Sequence, residues 1–167
     1  MIDIEGKMLE IGAGDRPIPG FIHNDARDLN DIQIVCDALQ VGWHVEGRCA
    51  GLTANHILEH FSYRKTVEVL ENWRALILPG GSIHIEVPNL SWQTRAHAKG
   101  EIDDKQVVNY MYGDQDYEGN YHYAAFTEPL LREVLDEAGF GNIDIQDIGQ
   151  VLIADAVKKI TTSPSYL

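Results

Sequence analysis

Apolar and polar positions alternate along the chain in a way that separates short strands from a few amphipathic helices. Residues 7–11 read as a short buried strand, 21–24 as a second ending at Asp25, and 32–36 as a third ending at Asp37. Residues 52–55 form a weaker fourth. Ser62 is placed to cap a helix, and Val67, Leu70, Trp73 and Ile77 recur at helical spacing. Pro79-Gly80-Gly81 stops that helix. Ile83, Ile85 and Val87 alternate in a further strand, closed by Pro88-Asn89. Residues 103–112 read as a short helix before Gly113. Thr127 caps another, with Leu130, Leu131, Val134, Leu135 and Ala138 on one face and Gly139 at its carboxyl end. Two last strands, 143–148 and 151–157, meet at Gly149-Gln150. Strands alternating with helices imply an α/β fold with a doubly wound, mostly parallel sheet, and the terminal pair adds an antiparallel hairpin. Residues 1–158 are expected to form the domain and 159–167 a C-terminal tail.

Composition narrows this picture without changing it. A chain of 167 residues, 44% apolar, suits one domain with one core. No run of about eighteen apolar residues occurs, so no membrane span is expected. The first residues show neither a basic region nor an apolar stretch, and Cys36 and Cys49 give no disulfide framework and no zinc spacing. A cytoplasmic location is the expectation. There are 26 acidic and 13 basic residues, a net charge of −13, with no basic run. A nucleic-acid partner, whose phosphates need Lys and Arg, is therefore not expected.

Residues 8–14 read Met-Leu-Glu-Ile-Gly-Ala-Gly, an apolar strand running into a glycine pair. Gly12 and Gly14 can turn the backbone sharply and let a ligand lie against it. In a doubly wound sheet that turn, at the carboxyl end of the first strand, is where nucleotide cofactors sit. A dinucleotide site needs a third glycine, where Pro17 stands, and an acid about twenty residues on. Asp25 comes at about half that distance, so NAD is disfavoured. Three carboxylates share one rim of the expected sheet: Glu10 beside the turn, Asp25 at the second strand end and Asp37 at the third. Such acids can accept from ribose hydroxyls, an adenine amino group and a methionine amino group. S-adenosylmethionine carries all three, has no phosphate, and is cationic.

The chain here resembles the small class I (seven-strand, Rossmann-like) SAM-dependent methyltransferases, in a compact Methyltransferase-11-like subgroup. The likeness rests on Leu-Glu-Ile-Gly-Ala-Gly, on His56-Ile57-Leu58-Glu59-His60-Phe61 and on Leu78-Pro79-Gly80-Gly81-Ser82 with the strand that follows. Gly113-Asp114-Gln115, Asn120-Tyr121-His122, Phe126-Thr127-Glu128 and Ala138-Gly139-Phe140 extend it, so that it spans residues 7–157. The resemblance implies S-adenosyl-L-methionine as cofactor and S-adenosyl-L-homocysteine as product. It places Glu10, Ile11, Gly12, Ala13 and Gly14 along the cofactor, Asp25 at its ribose, Asp37 and Ala38 at its adenine, and Asn55 and His56 at its border. Two departures stand out. Ten residues separate Gly14 from Asp25, so the usual helix between the first two strands is shortened or missing. One flank of the cofactor site is then open, or closed by a partner, whether a second copy in a homodimer or another subunit. Ala50-Gly51 also replace the aspartate common at the start of the fourth strand.

Methyl transfer to a hydroxyl needs a base, and an imidazole titrates near neutrality. His122 is the preferred candidate, with His56 and His60 behind it. It lies among Tyr110, Tyr112, Tyr117, Tyr121, Tyr123 and Phe126, a stretch suited to a substrate wall. Neither an Asp/Asn-Pro-Pro-aromatic segment nor a Pro-Cys nucleophile is present, which with the acidic composition points to a small-molecule or glycan acceptor rather than DNA. The first alternative is a non-catalytic module or partner subunit that binds SAM or its demethylated product. A smaller one takes His56-x-x-Glu59-His60 as an inverted zinc-peptidase motif, which requires a helix there. On the methyltransferase reading no metal is expected.

Overall fold

The computed structural model describes residues 1–160. In chain order its strands and α-helices are β1 (Ile2–Asp3), β2 (Met8–Ile11), β3 (Ile22–Asp25), β4 (Ile34–Val35), β5 (Val45–Glu46), β6 (Cys49–Asn55), α1 (Thr66–Ala75), β7 (Ile77–Pro88), α2 (Leu90–Ala98), α3 (Asp104–Tyr112), α4 (Glu128–Glu137), β8 (Phe140–Asp147) and β9 (Val151–Lys158). Seven strands form one sheet in the order β4-β3-β2-β6-β7-β9-β8, and β1 and β5 pair separately. All pairings of the first five are parallel, and β9 runs antiparallel to both neighbours. This is the mostly parallel α/β sheet with a terminal hairpin that the alternation implies. Leu9, Ile11, Leu52, Ala54, Ile83, Ile85 and Val87 are buried in the central strands, against Val69, Leu70 and Trp73 of α1 and Leu131 and Leu135 of α4. Along β7 the buried Ile83, Ile85 and Val87 alternate with the half-exposed His84 and Glu86, so one face of the strand carries this core.

Several element boundaries differ from the pattern-based expectation. The weak fourth strand is a seven-residue central one, because β6 bonds β2 on one side and β7 on the other. Two ladders outweigh the poor strand propensity of Ala50 and Gly51. The third strand shrinks to Ile34–Val35, an edge bonded on one side only. Ser62 gives no side-chain cap; it precedes a 3-10 turn, Tyr63–Lys65, and α1 starts at Thr66. Ile77 is not helical: it opens β7 and pairs with Cys49. Residues 78–81 bulge out of that ladder, since Gly51 pairs next with Ser82. Pro79-Gly80-Gly81 thus interrupts a strand, and the helix has already ended. Helix α2 is unexpected, and its cap is Asn89, whose side chain accepts from the Trp92 N–H at 3.2 Å. Leu130 faces outward, whereas Thr127 caps α4 as expected and Asp103 caps α3 in a reciprocal box with Gln106.

No helix bridges β2 and β3, as the spacing implied. Hydrogen bonds hold this crossover in place of packing. Glu10 Oε2 accepts from the Ile18 N–H at 2.8 Å and from His23 Nδ1 at 2.9 Å, and Asp25 Oδ2 accepts from the Gly14 N–H at 2.9 Å. Of the expected tail, residues 161–167 lie outside the described residues. Among those described, no helix is long and apolar enough to cross a membrane.

Candidate functional site

Strand order reverses between β2 and β6, and the carboxyl ends of β2, β3, β4 and β6 border a groove of about 560 Å³. Crevices at such a reversal are the usual ligand sites of open α/β sheets. The groove receives Gly12, Gly14, Asp25, Asp37, Ala38, Asn55, His56, His60 and His122. Residues as far apart in the chain as Gly12 and His122 therefore share one cleft.

Glu10, Ile11 and Ala13 stand apart from it. Glu10 is buried and occupied by Ile18 and His23, so its carboxylate braces the crossover and is withheld from the groove. Ile11 and Ala13 pack inward. Gly12 is left-handed (φ +69°), and a Cβ there would clash with Ile57 Cδ1. The missing side chain admits Ile57 against the turn.

Asp25 ends β3 with its carboxylate already engaged. Arg27 Nε donates to it at 3.1 Å and the Arg27 and Gly14 N–H groups at 2.9 Å each. Burial pushes the Asp25 pKa up, but these donors outweigh it and hold the carboxyl below its usual range. Asp25 in turn raises Arg27. The guanidinium lies 5.0 Å over the Tyr117 ring, so Arg27 and the 114–120 segment cover part of the flank left bare by the missing helix. Asp37 is exposed two residues beyond β4, and its Oδ1 accepts from the Leu39 N–H at 2.8 Å. The Ala38 carbonyl accepts from Trp73 Nε1 at 3.3 Å, which ties the rim to α1. Asn24 and Asn55 each keep a buried side-chain carbonyl oxygen with no partner. Asn24 and Arg27 carry no local signal in the sequence, whereas Ile57 and Glu59 belong to the His56–Phe61 segment and enter the groove with it.

His56 follows β6 in a left-handed conformation (φ +54°), uncommon for a residue with a side chain and found disproportionately at functional strand ends. Its Nδ1 lies 3.4 Å from Glu59 Oε1 and its Nε2 3.8 Å from Glu86 Oε2. The Glu59 carboxylate raises the His56 pKa, burial opposes this, and Glu86 adds to the rise. Leu58–His60 form a 3-10 turn. The peptidase motif's premise, His56 and His60 on one α-helix, is therefore not met.

His122 reaches the site from 66 positions beyond His56 because the backbone returns to this turn. Tyr123 and Ala124 N–H both donate to the Glu59 carbonyl, at 2.8 and 3.1 Å. His122 Nδ1 meets the Tyr110 carbonyl at 3.0 Å. A carbonyl only accepts, so Nδ1 carries the proton of the neutral ring and Nε2 keeps its lone pair. A second cavity, of about 230 Å³, adjoins the groove. His56, Asp114, Asn120 and His122 line both. Its far wall is Trp92, Gln93 and Tyr110; the first two come from α2, which the pattern did not predict, and Tyr110 belongs to the aromatic stretch expected to form a wall. Of the aromatic stretch, Tyr110 and Tyr117 line these cavities, Phe126 is core, and Tyr112, Tyr121 and Tyr123 are exposed.

No family model matches the chain, and no curated protein matches it in sequence. Solved structures do match in shape. A 1,6-didemethyltoxoflavin-N1-methyltransferase from Burkholderia thailandensis, with bound 1,6-didemethyltoxoflavin and S-adenosylhomocysteine, has a TM-score of 0.62 at 19% identity, over 93% of this chain and 72% of that one. A SAM-dependent methyltransferase from Archaeoglobus fulgidus has a TM-score of 0.61 at 15% identity, over 92% and 86%. An O-methyltransferase family protein from Burkholderia thailandensis has a TM-score of 0.56 at 14% identity, over 93% and 51%. The chain spans only about half the length of that last protein. Its fold is the class I methyltransferase fold.

Proposed function

We propose that this chain is a SAM-dependent methyltransferase that methylates a hydroxyl of a small-molecule or sugar acceptor. The observation that carries this reading is the pair of adjoining cavities sharing His56, Asp114, Asn120 and His122. One cavity lies on the glycine turn and the acid-bearing strand ends; the other is walled by Trp92 and Tyr110. The structural neighbour from Burkholderia holds both S-adenosylhomocysteine and a small-molecule acceptor.

The groove's chemistry fits the cofactor. Five carboxylates (Asp25, Asp37, Glu59, Asp114 and Glu118) and a single guanidinium, Arg27, line it. That balance suits a cation and opposes a pyrophosphate. The orphaned carbonyl oxygens of Asn24 and Asn55 are buried acceptors awaiting donors. Asp25 would hold the ribose, Asp37 and Ala38 the adenine, and Gly12, Gly14, Asn55 and His56 the remainder. When bound, the sulfonium supplies an activated methyl carbon. Trp92, Tyr110 and Gln93 hold the acceptor and limit water, which places the nucleophile by proximity. His122 Nε2 takes the acceptor's proton, while the Tyr110 carbonyl fixes the ring's tautomer. His56 and His60 stand at the same wall as secondary candidates.

Calorimetry with S-adenosylhomocysteine tests the binding. Asp25→Asn is expected to weaken it by roughly 1–3 kcal/mol in a folded chain, the cost of an unpaired partner. Turnover of labelled SAM against a library of hydroxylated acceptors tests transfer, and His122→Ala should depress turnover more than binding. A second reading, a binding module without turnover, draws support from the engagement of Glu10 and Asp25 inside the protein. Tight binding with no product across the library would favour it.

A further inference from the structure

Glu59 is the most deeply buried carboxylate of the groove, 1% exposed, and neither oxygen has a hydrogen-bond partner. A carboxylate taken out of water this way is costly unless a cation meets it. His56 Nδ1 faces Oε1 as an ion pair at 3.4 Å, outside hydrogen-bonding geometry, and Oε2 has no partner of either kind. His60 and His122 stand at Glu59 as well: one ligand atom from each of the three lies within 4.8 Å of the other two. The two rings meet edge to face at 5.0 Å. Each has its Nδ1 on a main-chain carbonyl, His60 on Tyr121 and His122 on Tyr110, at 3.0 Å in both cases. Nε2 is then the nitrogen each ring has left to give. Metal-ligating histidines are oriented in this way, with the second ring nitrogen held by a carbonyl or carboxylate.

We propose that Glu59, His60 and His122 form a binding site for a divalent first-row transition cation, with zinc the expected occupant. Two imidazoles and a carboxylate suit zinc or its neighbours and do not suit magnesium or calcium, which prefer oxygen alone. Bonds of about 2.0–2.1 Å in a tetrahedral site put ligand atoms roughly 3.3 Å apart. The three side chains must therefore close by up to about 1.5 Å, a rotamer-scale movement. Three protein ligands leave a coordination position free. The set differs from the inverted-peptidase pairing, which needs His56. It shares one lone pair with the base assigned to His122 above, so a loaded site makes Nε2 a ligand and removes it as a base. The cation site itself does not depend on methyl transfer.

The test uses the full chain, stripped with a chelator, and zinc or cobalt alone as the probe. One zinc per chain is expected by calorimetry. Glu59→Gln and His122→Ala should each weaken it about tenfold or more, while His56→Ala stays within about threefold. Glu59→Gln is isosteric and removes a buried charge faced by His56 alone, at 3.4 Å and without a hydrogen bond, so without metal it should melt close to the parent and gain nothing from zinc. The cobalt-loaded parent should show the strong visible absorption of a four- or five-coordinate ion, a readout independent of any variant. Absence of stoichiometric zinc in the parent, retention of affinity in both Glu59→Gln and His122→Ala, or a larger loss in His56→Ala than in His122→Ala would each overturn the proposal. S-adenosylhomocysteine titrated into the same stripped sample keeps the two readings separate, because its binding there is expected whether or not zinc binds.

Discussion

Asp25 is asked to serve two masters. Its carboxylate organises the turn through Gly14 and Arg27, and it faces the groove in which a ribose is proposed. The first duty has a pH signature. A depressed folded pKa means stability that is present above the ordinary value of 3.8 and lost as pH falls through the lower folded value. Asp25→Asn should therefore melt lower than the parent at pH 7, and the gap should close below pH 3.8; a gap independent of pH would mean the charge is unimportant there. The Arg27 side chain is 37% exposed, so solvent screens the pair and the effect is a fraction of what a fully buried pair shows. Cys49 behaves oppositely. Burial pushes its thiol up to about 11, and its Sγ donates to the Leu76 carbonyl at 3.2 Å. In native protein at pH 8 a thiol reagent should leave Cys49 untouched until denaturant is added. Rapid labelling of both cysteines would show that this core opens.

At the scale of elements, the β2–β3 crossover shows how a missing helix is replaced. Glu10, His23 and the Ile18 N–H form a buried brace. Removing one member leaves the others desolvated and unpaired, so Glu10→Ala should cost roughly 3–5 kcal/mol in urea unfolding. A loss below about 1 kcal/mol would mark the brace as incidental. The glycine-turn pattern exposed an acid at position 10 but not its partner, since His23 meets it only through strand pairing of Glu10 with His23. Helix α2 was obscured for a related reason. Pro88-Asn89 ends a strand and caps a helix at once, and Gln93 and Ala96 are the buried positions of a short, mostly polar segment. Gly113 is marked in the sequence as a helix end, but what its missing side chain makes room for is visible only in three dimensions. A Cβ there would meet the Asn120 carbonyl oxygen at 2.5 Å and His122 Cδ2 at 3.2 Å. Gly113→Ala should therefore displace the wall shared by both cavities, lowering turnover in the proposed reaction more than the melting temperature.

For the whole molecule, the groove belongs to no element; it exists because β2 and β6, far apart in sequence, pair at the centre of the sheet. A ligand that binds only this assembled crevice stabilises the entire fold. S-adenosylhomocysteine at a hundred times its dissociation constant should add about 2.7 kcal/mol to unfolding stability. An unchanged melting temperature at that concentration would contradict binding at the strand ends.

The sequence alone determined the sheet's character, the glycine turn, the hairpin and the absent crossover helix, because each follows from local periodicity, backbone permissiveness or chain length. It also marked Asp25, Asp37, Asn55 and the three histidines, since strand ends in a parallel sheet share a rim. Tertiary structure decided which groups remain available. It spends Glu10 on His23, sets Arg27 against Asp25, and brings His122 to a buried Glu59 whose oxygens have no hydrogen-bond partner. Those outcomes depend on which side chains meet across long stretches of chain, and desolvation, which no single residue carries, sets their cost.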